Sequence, residues 1–259
     1  MRVEQIGLAT LYLGDCREVL PQLPEQADLL VTDPPYRLTS GGCRAGAIWG
    51  RSKHFSPGAY NNDGEIVPVI PYESWIYKAF DACKADVDGY VMANDRSIHE
   101  ALNAVQASAW QMHNLLVWQK ENGTPNRWYF KDCEFTLYLW KGKAKTIRKP
   151  SSRQLFTCSR DRLENEHPTI KPVALMSHYI ANSSDAGALV LDPFLGSGST
   201  GVAAVQLSRR FVGCEILPGY FDLACRRIEQ AQSHGSLFAD GLLVEPAAAH
   251  PSLFQEAAA

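Results

Sequence analysis

The chain has 259 residues, 46% of them hydrophobic and 20% charged, with a net charge of −3. That length can bury a full core, the balance is ordinary for a soluble globular protein, and the mild acidity excludes a chain-wide nucleic-acid signal, so any such surface must be local. The seven cysteines (Cys16, Cys43, Cys83, Cys133, Cys158, Cys214, Cys225) are odd in number and form no C-x-x-C pair, which points to reduced thiols in the cytoplasm and away from a metal site or disulfide framework.

In chain order, the pattern predicts a strand over 8–13, a short helix over 16–23 and a buried strand over 28–32. Residues 37–66 lack periodicity. A helix near 72–84, a strand at 89–93, a helix near 97–109, a strand at 114–118 and strand-like sequence over 134–140 follow. After a basic stretch, alternation resumes with a helix at 172–183, a strand at 188–192, a helix at 199–208, a strand at 210–214 and a helix at 218–231. Such alternation predicts an α/β fold, a Rossmann-like doubly wound sheet with a parallel majority. No signal peptide or apolar run of membrane-spanning length is read. The expected organisation is a single domain over 1–232, with a catalytic-side loop at 37–66, a small insert at 141–166 and a loosely held tail at 233–259.

Two constellations carry chemistry. Asp33-Pro34-Pro35-Tyr36 ends the strand at 28–32. Proline fixes its own φ and constrains the residue before it, so this backbone can aim carbonyls in a preset direction. A carboxylate, a carbonyl and an aromatic ring together suit an amine on a flat ring, whereas a proline turn capping a strand is the bland alternative. Asp192-Pro193-Phe194-Leu195-Gly196-Ser197-Gly198-Ser199-Thr200 lies at a strand-to-helix turn, and Glu215 follows 23 residues after Asp192 at the end of the next strand. Glycines there let a ligand approach the backbone, and an acid at that spacing suits ribose hydroxyls.

Taken with His167-Pro168-Thr169-Ile170-Lys171-Pro172 between them, these motifs resemble those of the amino-methyltransferases of DNA, in the β-class order with the catalytic motif before the cofactor motif. The resemblance covers roughly residues 8–231. It implies a class I methyltransferase fold of permuted motif order and S-adenosylmethionine as cofactor. Asp33 and the Pro34 carbonyl would hold the amine hydrogens, and Tyr36 would stack on a flipped-out base. Phe194, Gly196 and Gly198 would lie against the methionine and ribose, Asp192 on the ammonium, Glu215 on the ribose diol, Thr169 and Lys171 by the methionine carboxylate, and Asp15 at the adenine amine. No metal is implied.

The partner implied is double-stranded DNA. Arg37, Arg44, Arg51 and Lys53 of the 37–66 loop, and Lys143, Lys145, Arg148, Lys149 and Arg153 of the basic segment, would meet phosphates. Trp118, Lys120, Asn122 and Arg127 follow a strand-to-loop passage that could line the same groove, with Trp118 equally suited to the core. The short recognition segment implies a short or relaxed target sequence. Asp at position 33 leans the reading towards adenine N6. Cytosine N4, an RNA substrate and a catalytically silent binding subunit stay open. The resemblance leaves room for a homodimer. The repeated Ser236-Leu237-Phe238 and Ser252-Leu253-Phe254 of the tail suggest a weak sliding-clamp contact.

Overall fold

A computed structural model describes residues 1–36, 69–124, 129–159 and 170–233. One nine-stranded sheet runs, edge to edge, as β1 (Arg2–Ile6), β2 (Ala9–Leu13), β9 (Arg210–Glu215), β8 (Leu189–Asp192), β3 (Ala27–Thr32), β4 (Cys83–Ala93), β6 (Lys131–Lys141), β5 (Gln111–Thr124) and β7 (Leu155–Cys158). The block β2-β9-β8-β3-β4 is parallel throughout. β6 runs against both β4 and β5, β7 runs with β5, and β1 closes the other edge antiparallel to β2. This is the expected mostly parallel α/β sheet.

Both faces are covered, as a parallel sheet requires. Alternate side chains along each strand enter different cores. Leu30, Val91, Leu137 and Leu139 pack with Ile76 of α2 (Ile76–Asp81) and Ala101 and Val105 of α3 (Ile98–Ala107), with Cys16 and Val19 of α1 (Cys16–Val19) in the same cluster. Leu29, Val31, Tyr90 and Met92 pack on the opposite face. There they meet Leu175 and Tyr179 of α4 (Val173–Ser183), Ala203 of α5 (Ser199–Gln206) and Phe221 of α6 (Pro218–Ser233). Tyr179, Tyr90 and Tyr138 stack in sequence at 4.6 and 4.9 Å between centroids, which ties α4 to β4 and β6.

Two strands have no counterpart among the sequence expectations. β1 is an edge strand whose residues are exposed or half-buried, so it carries little apolar alternation. It pairs with β2 across Gly7-Leu8, where Gly7 takes a φ of +51°. β7 falls inside the basic insert and is also half exposed. β4, β5 and β6 each extend beyond the expected bounds.

The sheet order locates the site. From β8 the chain crosses by α5 to β9 on one side, and from β3 it crosses by α2 to β4 on the other. Connections diverging from neighbouring parallel strands open a crevice at their C-terminal ends. Here that crevice lies between Thr32 and Asp192.

Candidate active site

At the crevice floor, Thr32 Oγ1 donates to Asp192 Oδ1 at 2.7 Å, and the Phe194 N–H donates to the same oxygen at 3.0 Å. Asp192 is 2% exposed and is absent from the cleft lining. Burial pushes its carboxyl up to about 6 against hydrogen bonds from Thr32, Thr200 and the Phe194 N–H. In this structure its carboxylate ties β8 to β3 and to the following turn.

The cleft itself brings together Asp15, Asp33, Pro35, Phe194, Gly196 and Glu215. Asp15 caps α1 by accepting from the Arg17 N–H at 2.8 Å, and hydrogen bonding to the Arg17 guanidinium holds its carboxyl below the ordinary range. Glu215 ends β9 with both oxygens fixed, Oε2 by the Gly196 N–H and Oε1 by the Leu217 N–H, each at 2.9 Å. Burial raises its carboxyl while those backbone donors pull it down. The Ile216 N–H bonds to the same carboxylate, and since a carboxylate has about four lone-pair sites it keeps capacity for a ligand hydroxyl. The Phe194 ring is wedged edge-on against Trp75 at 4.9 Å.

The two glycines of the turn have different duties. Gly196 lines the cleft at φ +51°. Gly198 caps α5 at φ +82°, and a Cβ there would sit 3.0 Å from the Ala224 Cβ of α6. Here its lack of a side chain serves helix packing.

Beside the cleft lies a buried group of charges that the sequence does not reveal. Lys171, on the approach to α4, donates to Asp33 Oδ2 at 2.5 Å and to the Tyr36 hydroxyl at 3.1 Å, and lies 3.3 Å from Glu134 Oε2. The Tyr36 hydroxyl donates to Glu134 Oε2 at 3.1 Å, while Lys120 Nζ sits 2.5 Å from Glu134 Oε1. Burial works against the Glu134 charge, but Lys171 and Lys120 overcome it and hold its carboxyl at about 2. Burial raises the Asp33 carboxyl despite Lys171. The Lys171 ammonium, expected by a methionine carboxylate, here meets Asp33, Tyr36 and Glu134. Asp33 Oδ1, by contrast, is buried and meets no donor.

Of the expected DNA contacts, Arg37, Arg44, Arg51 and Lys53 lie outside the described residues, as do Arg127 and, on the cofactor side, Thr169. Topology sets where the basic segment lies. β6 runs antiparallel to β4, so its end at Lys141 pairs with Val87, about 20 Å along the strands from Ala93 at the catalytic edge. The Lys143 N–H bonds to Asp86, Arg148 pairs with Asp185, and the backbone of Arg148 and Lys149 bonds to Asn182 at the end of α4. These residues, with Lys145 between them, occupy the far end of the sheet. Arg153 is exposed just before β7, whose strand returns towards the catalytic edge. Trp118 is core, 1% exposed.

A doubly wound sheet with a glycine turn after β8, an acid ending β9 and an Asp-Pro-Pro-Tyr edge on β3 defines a class I methyltransferase. A family model described as DNA methylase, of the N6/N4 methyltransferase type, matches residues 27–226, and the chain belongs to that family. It is 27% identical over 226 residues to the type II methyltransferase M2.DpnII of Streptococcus pneumoniae, covering 80% of this chain and 84% of that one. It is 26% identical over 246 residues to the type II methyltransferase M2.MboI of Moraxella bovis, covering 85% and 87%. Among solved structures, the M1.HpyAVI–SAM complex superposes with a TM-score of 0.65 at 27% identity, over 85% of this chain and 98% of the other.

Proposed function

We propose that this DNA methyltransferase uses S-adenosylmethionine to methylate the N6 amine of an adenine swung out of duplex DNA, within a short target sequence. The observation that carries the reading is Asp33 Oδ1, a buried carboxylate oxygen with no donor, on a residue that lines the cleft. Leaving such an acceptor unpaired costs about 1–3 kcal/mol, which an amine hydrogen would restore. The Pro34 carbonyl would take the second hydrogen, and two acceptors localise a lone pair otherwise spread into the ring. Tyr36 would stack on that ring.

The residues of the cleft fit the cofactor. Glu215 offers lone pairs to a ribose diol, Gly196 leaves the backbone open, and Asp15 supplies an acceptor for an adenine amine. The bound cofactor supplies an electrophilic methyl on sulfur. Similarity to chains named as type II methyltransferases, and to one solved with SAM, supports both the target-specific activity and the cofactor.

Labelled S-adenosylmethionine incubated with duplex DNA, single-stranded DNA or RNA, followed by mass spectrometry of the nucleosides, tests this. The expected product is N6-methyladenine from duplex DNA. N4-methylcytosine would overturn the choice of base, and label only in RNA would overturn the choice of nucleic acid.

A further inference from the structure

We infer that Glu134 is a positioning residue for methyl transfer, holding the Asp33 acceptor and the Tyr36 ring in one register through Lys171 and the Tyr36 hydroxyl. The inference rests on the proposed reaction and adds to it two residues, Glu134 and Lys120, that no motif marks.

The geometry leaves Glu134 little freedom. It projects from β6 on the face shared with Thr136 and Tyr138, the face covered by α4, where the Tyr179 hydroxyl bonds to Thr136. Its two oxygens serve three partners on three other segments: Lys120 on β5, Lys171 before α4 and Tyr36 after β3. A carboxylate is an acceptor-only group with two oxygens, so it can serve all three at once. Charge explains why an acid is needed. Asp33 and Glu134 carry two negative charges against the two positive charges of Lys120 and Lys171, with both lysine side chains 8% exposed. Without Glu134, two buried ammoniums would share one carboxylate, an arrangement proteins avoid.

The bond directions make this a register device. Lys171 donates to the Tyr36 hydroxyl, so the hydroxyl proton turns to Glu134, and the ring that carries it is held from both sides. The same ammonium fixes Asp33 Oδ2, which leaves Oδ1 as the free acceptor. Glu134 thus sets two groups that would touch the base without touching it itself. A misplacement of about 1 Å in such groups is enough to cost about 100-fold in rate.

Single-turnover methylation of a cognate duplex by the full chain and by Glu134→Gln tests the inference, with S-adenosylmethionine affinity and DNA KM measured in parallel. Gln keeps the volume and an acceptor for Tyr36 but removes the charge. The expected result is a fall of about 30-fold or more in rate, with cofactor affinity and KM within about threefold of the parent. Adding Lys120→Met, which restores neutrality, should not restore the rate. A Glu134→Gln rate within threefold of the parent, or full recovery in the double variant, would overturn the inference and reduce Glu134 to a counterion. If Glu134→Gln does not fold, Tyr36→Phe decides: an unchanged rate overturns it, and a fall of about tenfold with unchanged cofactor affinity supports it. A parent chain that methylates no DNA would overturn the underlying reaction as well, which separates the two failures.

Discussion

Thr32 and Asp192 stand 160 residues apart in sequence and share a buried 2.7 Å hydrogen bond at the point where the sheet's crossovers diverge. That bond joins the strand that ends in Asp33-Pro34-Pro35-Tyr36 to the strand that leads into the glycine turn. The separation of the two segments is thereby set by a side-chain bond between adjacent strands, not by a loop.

Asp192 gives this junction a pH signature. Its folded carboxyl is raised to about 6 from an ordinary value of 3.8. A raised acid binds its proton more tightly when folded, so its contribution is full at low pH and is lost as pH rises from about 4 to about 6. The loss amounts to about 3 kcal/mol at most. Asp192→Asn should flatten the stability curve in that window and gain about 2 kcal/mol at pH 7. Urea denaturation at pH 4, 5, 6 and 7 measures it, and an unchanged slope for the variant would refute the assignment.

Asp33→Ala removes the proposed amine acceptor while leaving the opposite wall of the cleft untouched. Methyl transfer should fall by at least about 1,000-fold, since electrostatic and positioning contributions disappear together. S-adenosylmethionine affinity by calorimetry should stay within about fivefold of the parent. Retained transfer would remove Asp33 from the chemistry.

Glu215 and Gly198, grouped together by the sequence motif, should separate by experiment. Glu215→Gln is expected to weaken S-adenosylmethionine binding by about 1–3 kcal/mol, as a charged acceptor is removed. Gly198→Ala must adopt φ +82° and crowd Ala224, so it should cost about 1–3 kcal/mol of stability with cofactor affinity within twofold. Chemical denaturation and calorimetry on both variants give the comparison.

Lys143→Ala with Lys145→Ala should leave DNA affinity within about twofold of the parent and the salt dependence of binding unchanged, because both lie at the sheet end away from the cleft. If instead each lysine neutralised a phosphate, the double variant would lower the salt slope by about 2. A titration by fluorescence anisotropy at several salt concentrations distinguishes the two results.

The legible parts of this chain are those with local patterns. The buried run before Asp33 and the glycine turn after Asp192 announce a strand edge and a strand-to-helix turn through neighbouring residues alone. Glu134 and Lys120 announce nothing, since Glu134 meets Tyr36 across 98 residues and only after β6 and β5 have joined the sheet. A charge at the start of an otherwise apolar run, Glu134 before Phe135, is the one available hint. The place of the basic segment is not legible for a topological reason: an antiparallel strand carries its start to the sheet end away from the cleft. The H-P-x-x-K-P motif marks Lys171 but not its meeting with Asp33 and Glu134, because spacing cannot say which acids of the chain a lysine will meet.

The central position of β8 has a bearing on how the molecule is made. This four-residue strand slots between β9 and β3, yet it is synthesised long after β3. A ribosome-bound chain that has reached Ser183 therefore displays the flank of β3 opposite β4, which Val190 and Leu191 will later pair at Leu29 and Leu30. Any truncation before Leu189 leaves that flank as an open edge at the middle of the finished sheet, the kind of surface that recruits other chains. The half that carries Asp33-Pro34-Pro35-Tyr36 is thus written first and closed last.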